Sequence, residues 1–181
     1  MPLDATLKNG LLAQLFPEDG GLTTYAVLDG AINSTLLKAF ETFAPERECL
    51  WLGELEPAMQ AVAPYLVRLE PERDAAFLDY LMGEGYGLRW GIYLHTCAPL
   101  KALRRHFRHL TFVTASNGEQ KYFRYYDPSV LAMVIGTASD EQFRVLFGPV
   151  EAYLCELPEA AWKGSEDKRF RQFRLGPART A

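Results

Sequence analysis

Asn117-Gly118 stands between two strand-like runs, 110–115 and 120–126, and constrains the chain more than any other local feature. Asn-Gly suits the positive-φ positions of a tight turn, so the flanking runs read as a β-hairpin and therefore as an antiparallel pair. Elsewhere strand-like and helix-like runs alternate, which is the pattern of a sheet flanked by helices. The two signals together predict an α/β domain whose sheet is mixed rather than wholly parallel, with one hairpin near residues 110–126.

Hydrophobic periodicity places the other elements. A helix is expected over 4–16, a strand over 22–29, and a second helix capped by Asn33 or Ser34 with Leu36, Leu37, Phe40 and Phe43 on one stripe. Short strands follow at 49–52 and 65–69, with a brief helix over 57–62 between them and another over 73–82. Residues 88–95 alternate, with Leu88, Trp90, Ile92 and Leu94 pointing one way and Arg89, Gly91, Tyr93 and His95 the other. Pro99 suits a helix start, and Leu100, Leu103, Phe107 and Leu110 give that helix its buried stripe. Asp127 can cap the next helix, with Pro128 in its first turn. Ser139 and Gln142 resemble a capping box, and 150–157 reads as a last strand. At 181 residues the chain is expected to be one domain over 1–160, followed by a basic tail over 161–181 that can order on a partner.

Composition excludes several classes. Apolar residues are 49% and charged residues 23%, ordinary for a globular chain and unlike a disordered one. No apolar run approaches the length of a membrane span, and Met1-Pro2-Leu3-Asp4 lacks the basic and apolar parts of a secretory leader. A soluble protein that stays where it is made is therefore expected. Cys49, Cys97 and Cys155 are odd in number and far apart, which suits buried thiols in a reducing compartment better than disulfides or zinc. The net charge of −4 hides an asymmetry: residues 1–100 carry 6 basic and 14 acidic side chains, residues 101–181 carry 13 and 9.

Catalytic templates fail one by one. No G-x-G-x-x-G follows the first strand, and there is no phosphate loop and no G-x-S-x-G elbow, so no cofactor is expected. His106 with Asp29 or Asp127 is the one constellation that could serve a small hydrolase. What stands out is a basic helix before the hairpin. Lys101, Arg104, Arg105 and Arg108 share one of its faces, a surface suited to an acidic partner. In the second hairpin strand Tyr122, Arg124 and Tyr126 alternate with Phe123, Tyr125 and Asp127, so one face is expected in the core and the other exposed. Aromatic and arginine side chains on an exposed face suit a protein interface; stacking single-stranded nucleic acid is the alternative.

The run 103–113, the Asn117-Gly118 turn and Phe123-Arg124-Tyr125-Tyr126-Asp127-Pro128 resemble the effector adaptor/chaperone family of bacterial type VI secretion. Tyr25 to Ala31 (with Asp29), Ala63 to Val67, Trp90-Gly91-Ile92 and Phe147-Gly148-Pro149-Val150 extend the resemblance over about 25–150. Ser129 departs from it, since the family commonly has arginine there. The resemblance implies a cytoplasmic, non-catalytic adaptor that binds a toxic effector and helps load it onto the VgrG/PAAR spike, with no nucleic-acid or membrane partner. Arg104, Arg105, Arg108, Tyr122, Arg124 and Tyr126 are then the candidate contacts. Asp29, Trp90, Asn117, Gly118, Asp127 and Pro128 are the candidate structural motif.

Overall fold

The computed structural model describes residues 3–18, 21–114, 117–156 and 170–175. Its elements run α1 (Ala5–Leu15), β1 (Thr23–Asp29), α2 (Leu36–Phe43), β2 (Arg47–Cys49), α3 (Pro57–Val62), β3 (Pro64–Leu69) and α4 (Ala75–Tyr80), which passes into a π-turn at Leu81–Gly85. Then come β4 (Gly91–Thr96), α5 (Leu100–Leu110), β5 (Phe112–Thr114), β6 (Gln120–Tyr122), α6 (Pro128–Thr137), α7 (Asp140–Phe147), β7 (Ala152–Cys155) and β8 (Arg171–Arg174).

Six strands form one sheet in the order β2-β3-β1-β4-β7-β8, and β5 and β6 pair separately as the hairpin. The α/β class, the flanking helices and the hairpin are as expected from the sequence. Every pairing of the sheet is antiparallel, a step beyond the expected mixed sheet. The α2 and α4 connections each skip a strand, from β1 to β2 across β3 and from β3 to β4 across β1, so strands that run the same way are never neighbours.

Alternation along the central strands sends side chains to two cores. Ala26 and Leu28 of β1, with Val67 and Tyr93, face α1, α2 and α4. Tyr25 and Val27, with Leu66, Ile92 and Leu94, face α5, α6 and α7. The sheet is thus covered on both sides, which explains why β4 is buried at all six positions. Burying Leu103 and Phe107 from α5 contributes about 2 kcal/mol each, and Phe107 stacks on Tyr125 at 5.3 Å.

Local signals act where they were expected. Asp127 accepts hydrogen bonds from the Ser129 and Val130 amides at the start of α6, with Pro128 in the first turn. Ser139 and Gln142 form the full capping box of α7.

Five expectations need correction. The N-cap of α2 is Thr35, not Asn33 or Ser34, and its side chain makes no capping bond. The strand expected at 49–52 lies at Arg47–Cys49, leaving Leu50, Trp51 and Leu52 in a loop. The second hairpin strand ends at Tyr122, so the alternation through 126 fails, and Tyr125 and Tyr126 are both buried. Residues 88–90 precede β4. Left-handed backbone at Gly87 and Arg89 turns Trp90 away from Ile92 and Leu94, onto Tyr80 at 5.2 Å, while Leu88 is exposed. Cys97 is exposed rather than buried. In the expected tail, 171–174 is the edge strand β8; 161–169 and 176–181 lie outside the described residues. Phe170 enters the core against Tyr93, and Gln14 pairs with both its backbone N–H and its carbonyl.

Candidate functional site

The basic face of α5 divides into different roles. Arg104 pairs with Glu48 at 3.3 Å, in a polar cleft beside Lys101 and Arg68. Arg108 turns into the loop after β2. Its Nε donates to the Leu50 carbonyl at 3.2 Å, and Nη2 donates to those of Cys49 and Trp51, each at 3.0 Å. Burial and the nearby Arg104 cation lower its pKa, yet a guanidinium stays protonated. Arg105 is exposed, and among the described residues it makes no salt bridge.

The hairpin residues separate in the same way. Tyr126 is 2% exposed and therefore is not a free contact; its hydroxyl bonds that of Tyr122 at 2.9 Å, and burial raises its pKa. Arg124 pairs with the buried Asp29 carboxylate, whose other oxygen accepts the Ala31 amide at 2.9 Å. Arg124 and Asp29 thus join the start of α6 to the end of β1, and the pair is structural. Tyr122 remains partly exposed. It accepts a hydrogen bond from Trp51 Nε1 at 2.7 Å and meets Phe112 edge-on at 5.6 Å. Gly118 has φ +83°, and Asn117 Oδ1 accepts the Glu119 amide, so both serve the turn.

The structure therefore gathers a site of which the sequence named two residues, Arg108 and Tyr122. Arg108 pins the loop after β2 opposite the hairpin, and an apolar groove of ≈ 440 Å³ opens between them. Leu50, Trp51, Leu52 and Leu55 form one wall, with Met59 of α3 at its end. Phe112 and Tyr122 line the groove from the hairpin, where the Tyr122 hydroxyl meets Trp51 Nε1, and Arg108 and Thr111 complete the lining. Leu52 is 73% exposed and Phe112 56%, both costly positions for large apolar side chains on a surface with no partner. The only advance sign is that Leu55 lies between Gly53 and Pro57, outside any expected element.

The residues of the hydrolase alternative have separate partners. His106 Nε2 donates to the Leu146 carbonyl at 3.2 Å and its ring lies against Gly148, where any Cβ would sit 2.4 Å from it. Burial lowers the His106 pKa, favouring the neutral ring. Asp29 is held by Arg124, and Asp127 by the α6 amides. Among the described residues no group of three or more His, Cys, Asp or Glu side chains could hold a metal ion, and no helix is long and apolar enough to cross a membrane. Ser129, where the resembled family commonly has arginine, accepts a hydrogen bond from Arg89 at 2.6 Å.

No curated protein and no solved structure matches the chain. One family model matches residues 24–144, about two thirds of the chain, from β1 through the basic helix and the hairpin into α7. The chain therefore belongs to the family described as a domain of unknown function, DUF4123.

Proposed function

We propose that the protein is a non-catalytic adaptor that binds a type VI secretion effector and aids its loading onto the VgrG spike. Membership of the family and the motif 123–128 support the secretion context. The observation that carries a binding role is the open apolar groove lined by Trp51, Leu52, Phe112 and Tyr122, with Arg108 of α5 in its lining. Aromatic walls, a methionine and arginine are the residue types that dominate protein interfaces.

The test is co-expression with the effector encoded beside this chain's gene. The adaptor should raise the effector's soluble yield and co-purify with it. A tagged adaptor that enriches neither effector nor spike protein would sink the proposal.

A further inference from the structure

The groove sets chemical terms for what it can hold, and these terms name a partner class if the adaptor reading above is right. Its walls offer side chains rather than free backbone. The carbonyls of Cys49, Leu50 and Trp51, which an incoming strand would need as acceptors, are all taken by Arg108. A helix needs no such acceptors, because its own backbone is already paired. Leucines, aromatic rings and an adaptable methionine suit the apolar stripe of a helix laid into a groove.

Charge adds a second term. Three of the five N–H donors of Arg108 are spent on carbonyls, and among the described residues its Nη1 has no partner and its charge no salt bridge, the Glu48 carboxylate acting on it only from a distance. Arg105, one turn earlier on α5, is likewise exposed without a counter-charge. The acids of β2 and its following loop are engaged elsewhere: Glu48 pairs with Arg104, and Glu54 lines a separate cleft with Arg47 and Tyr65. An apolar groove whose lining includes a guanidinium without a salt bridge discriminates against a wholly apolar helix and in favour of one that carries a carboxylate beside its stripe.

We propose that the groove receives an amphipathic helix of the effector, whose apolar side chains fill the space between Leu52 and Phe112 and whose flanking Asp or Glu bonds Arg108 Nη1 and faces Arg105. The Arg108 guanidinium then serves both parts of the interface, shaping one wall through the carbonyls and reading the partner's charge through its free edge.

The test uses the full chain and fluorescein-labelled 20-residue peptides tiled across the neighbouring effector, read by anisotropy. The tightest tile should show apolar residues at helical spacing with an acid beside them. Leu52→Asp, which alters an exposed side chain, should weaken its affinity about tenfold or more. Arg105→Glu should weaken it as well, and changing the peptide's acid to lysine should restore binding to that variant alone. If the whole effector co-purifies with wild type and Leu52→Asp equally, the groove proposal falls while the adaptor reading stands. If no effector co-purifies, both fall. If light scattering shows a wild-type dimer that Leu52→Asp splits, the groove is a self-interface and the effector-helix proposal is wrong.

Discussion

Two arginines one turn apart on α5 have opposite duties. Arg108 satisfies three carbonyls at the end of the edge strand β2 and in the loop after it, and removing it leaves those acceptors dependent on water. Arg108→Glu should lower the melting temperature by several degrees, because a carboxylate would face the same carbonyls. Arg105→Glu should leave it unchanged and affect only partner binding. Thermal denaturation of both variants separates them; equal losses would show that Arg105 is also structural. Arg124 belongs with Arg108. Its removal strands the Asp29 carboxylate, 1% exposed, with the Ala31 amide and no cation. Arg124 is itself part-exposed, so water would share in the repair. Arg124→Met should therefore cost about 2 kcal/mol, below the 3–5 kcal/mol of a fully buried pair. Adding Asp29→Asn should recover part of that loss, as measured by urea denaturation.

At the scale of elements, legibility in the sequence depends on how local the signal is. Asn117-Gly118, Asp127-Pro128 and the Ser139/Gln142 box each act through backbone groups within a few residues, so the turn and the two helix starts could be placed from the sequence. Trp90 could not. Its direction follows from left-handed backbone at Arg89, a residue type that seldom adopts it. The groove could not be placed either. Its lining comes from the loop after β2, α3, the end of α5 and the hairpin, and nothing in Trp51-Leu52 distinguishes a buried strand from a wall facing solvent. The α6 cap yields a prediction at this scale. Asp127→Ala should cost about 1 kcal/mol by orphaning the Ser129 and Val130 amides, and Asp127→Asn much less, in the same denaturation assay. Because the α6 start lies beside the buried Tyr125 and Tyr126, a larger loss for alanine would show that the cap also holds the hairpin exit.

Across the whole molecule, one buried carboxylate ties the sheet to the α4–β4 connection. Glu156 follows β7, and its Oε2 accepts the Gly87 amide at 2.8 Å and the Arg89 amide at 3.2 Å, while Arg89 reaches on to Ser129 of α6. Burial pushes the Glu156 pKa up to about 7 from 4.5, outweighing the two amides and the Arg89 charge, which pull it down. Between these values the folded chain holds a proton that the unfolded chain has released. The number bound is then larger in the folded state, so stability falls as pH rises. The contribution is fully present below about pH 4.5 and lost as pH passes about 7, amounting to about 3 kcal/mol over the window at 1.36 kcal/mol per unit. Glu156→Gln keeps an oxygen for both amides and cannot ionise. Urea denaturation at pH 5, 6.5 and 8 should therefore show the wild type losing stability relative to the glutamine variant, with the variant the more stable at pH 8. Parallel profiles would mean that the Glu156 carboxyl is solvated, and that the sheet and the 83–90 turn are held together without it.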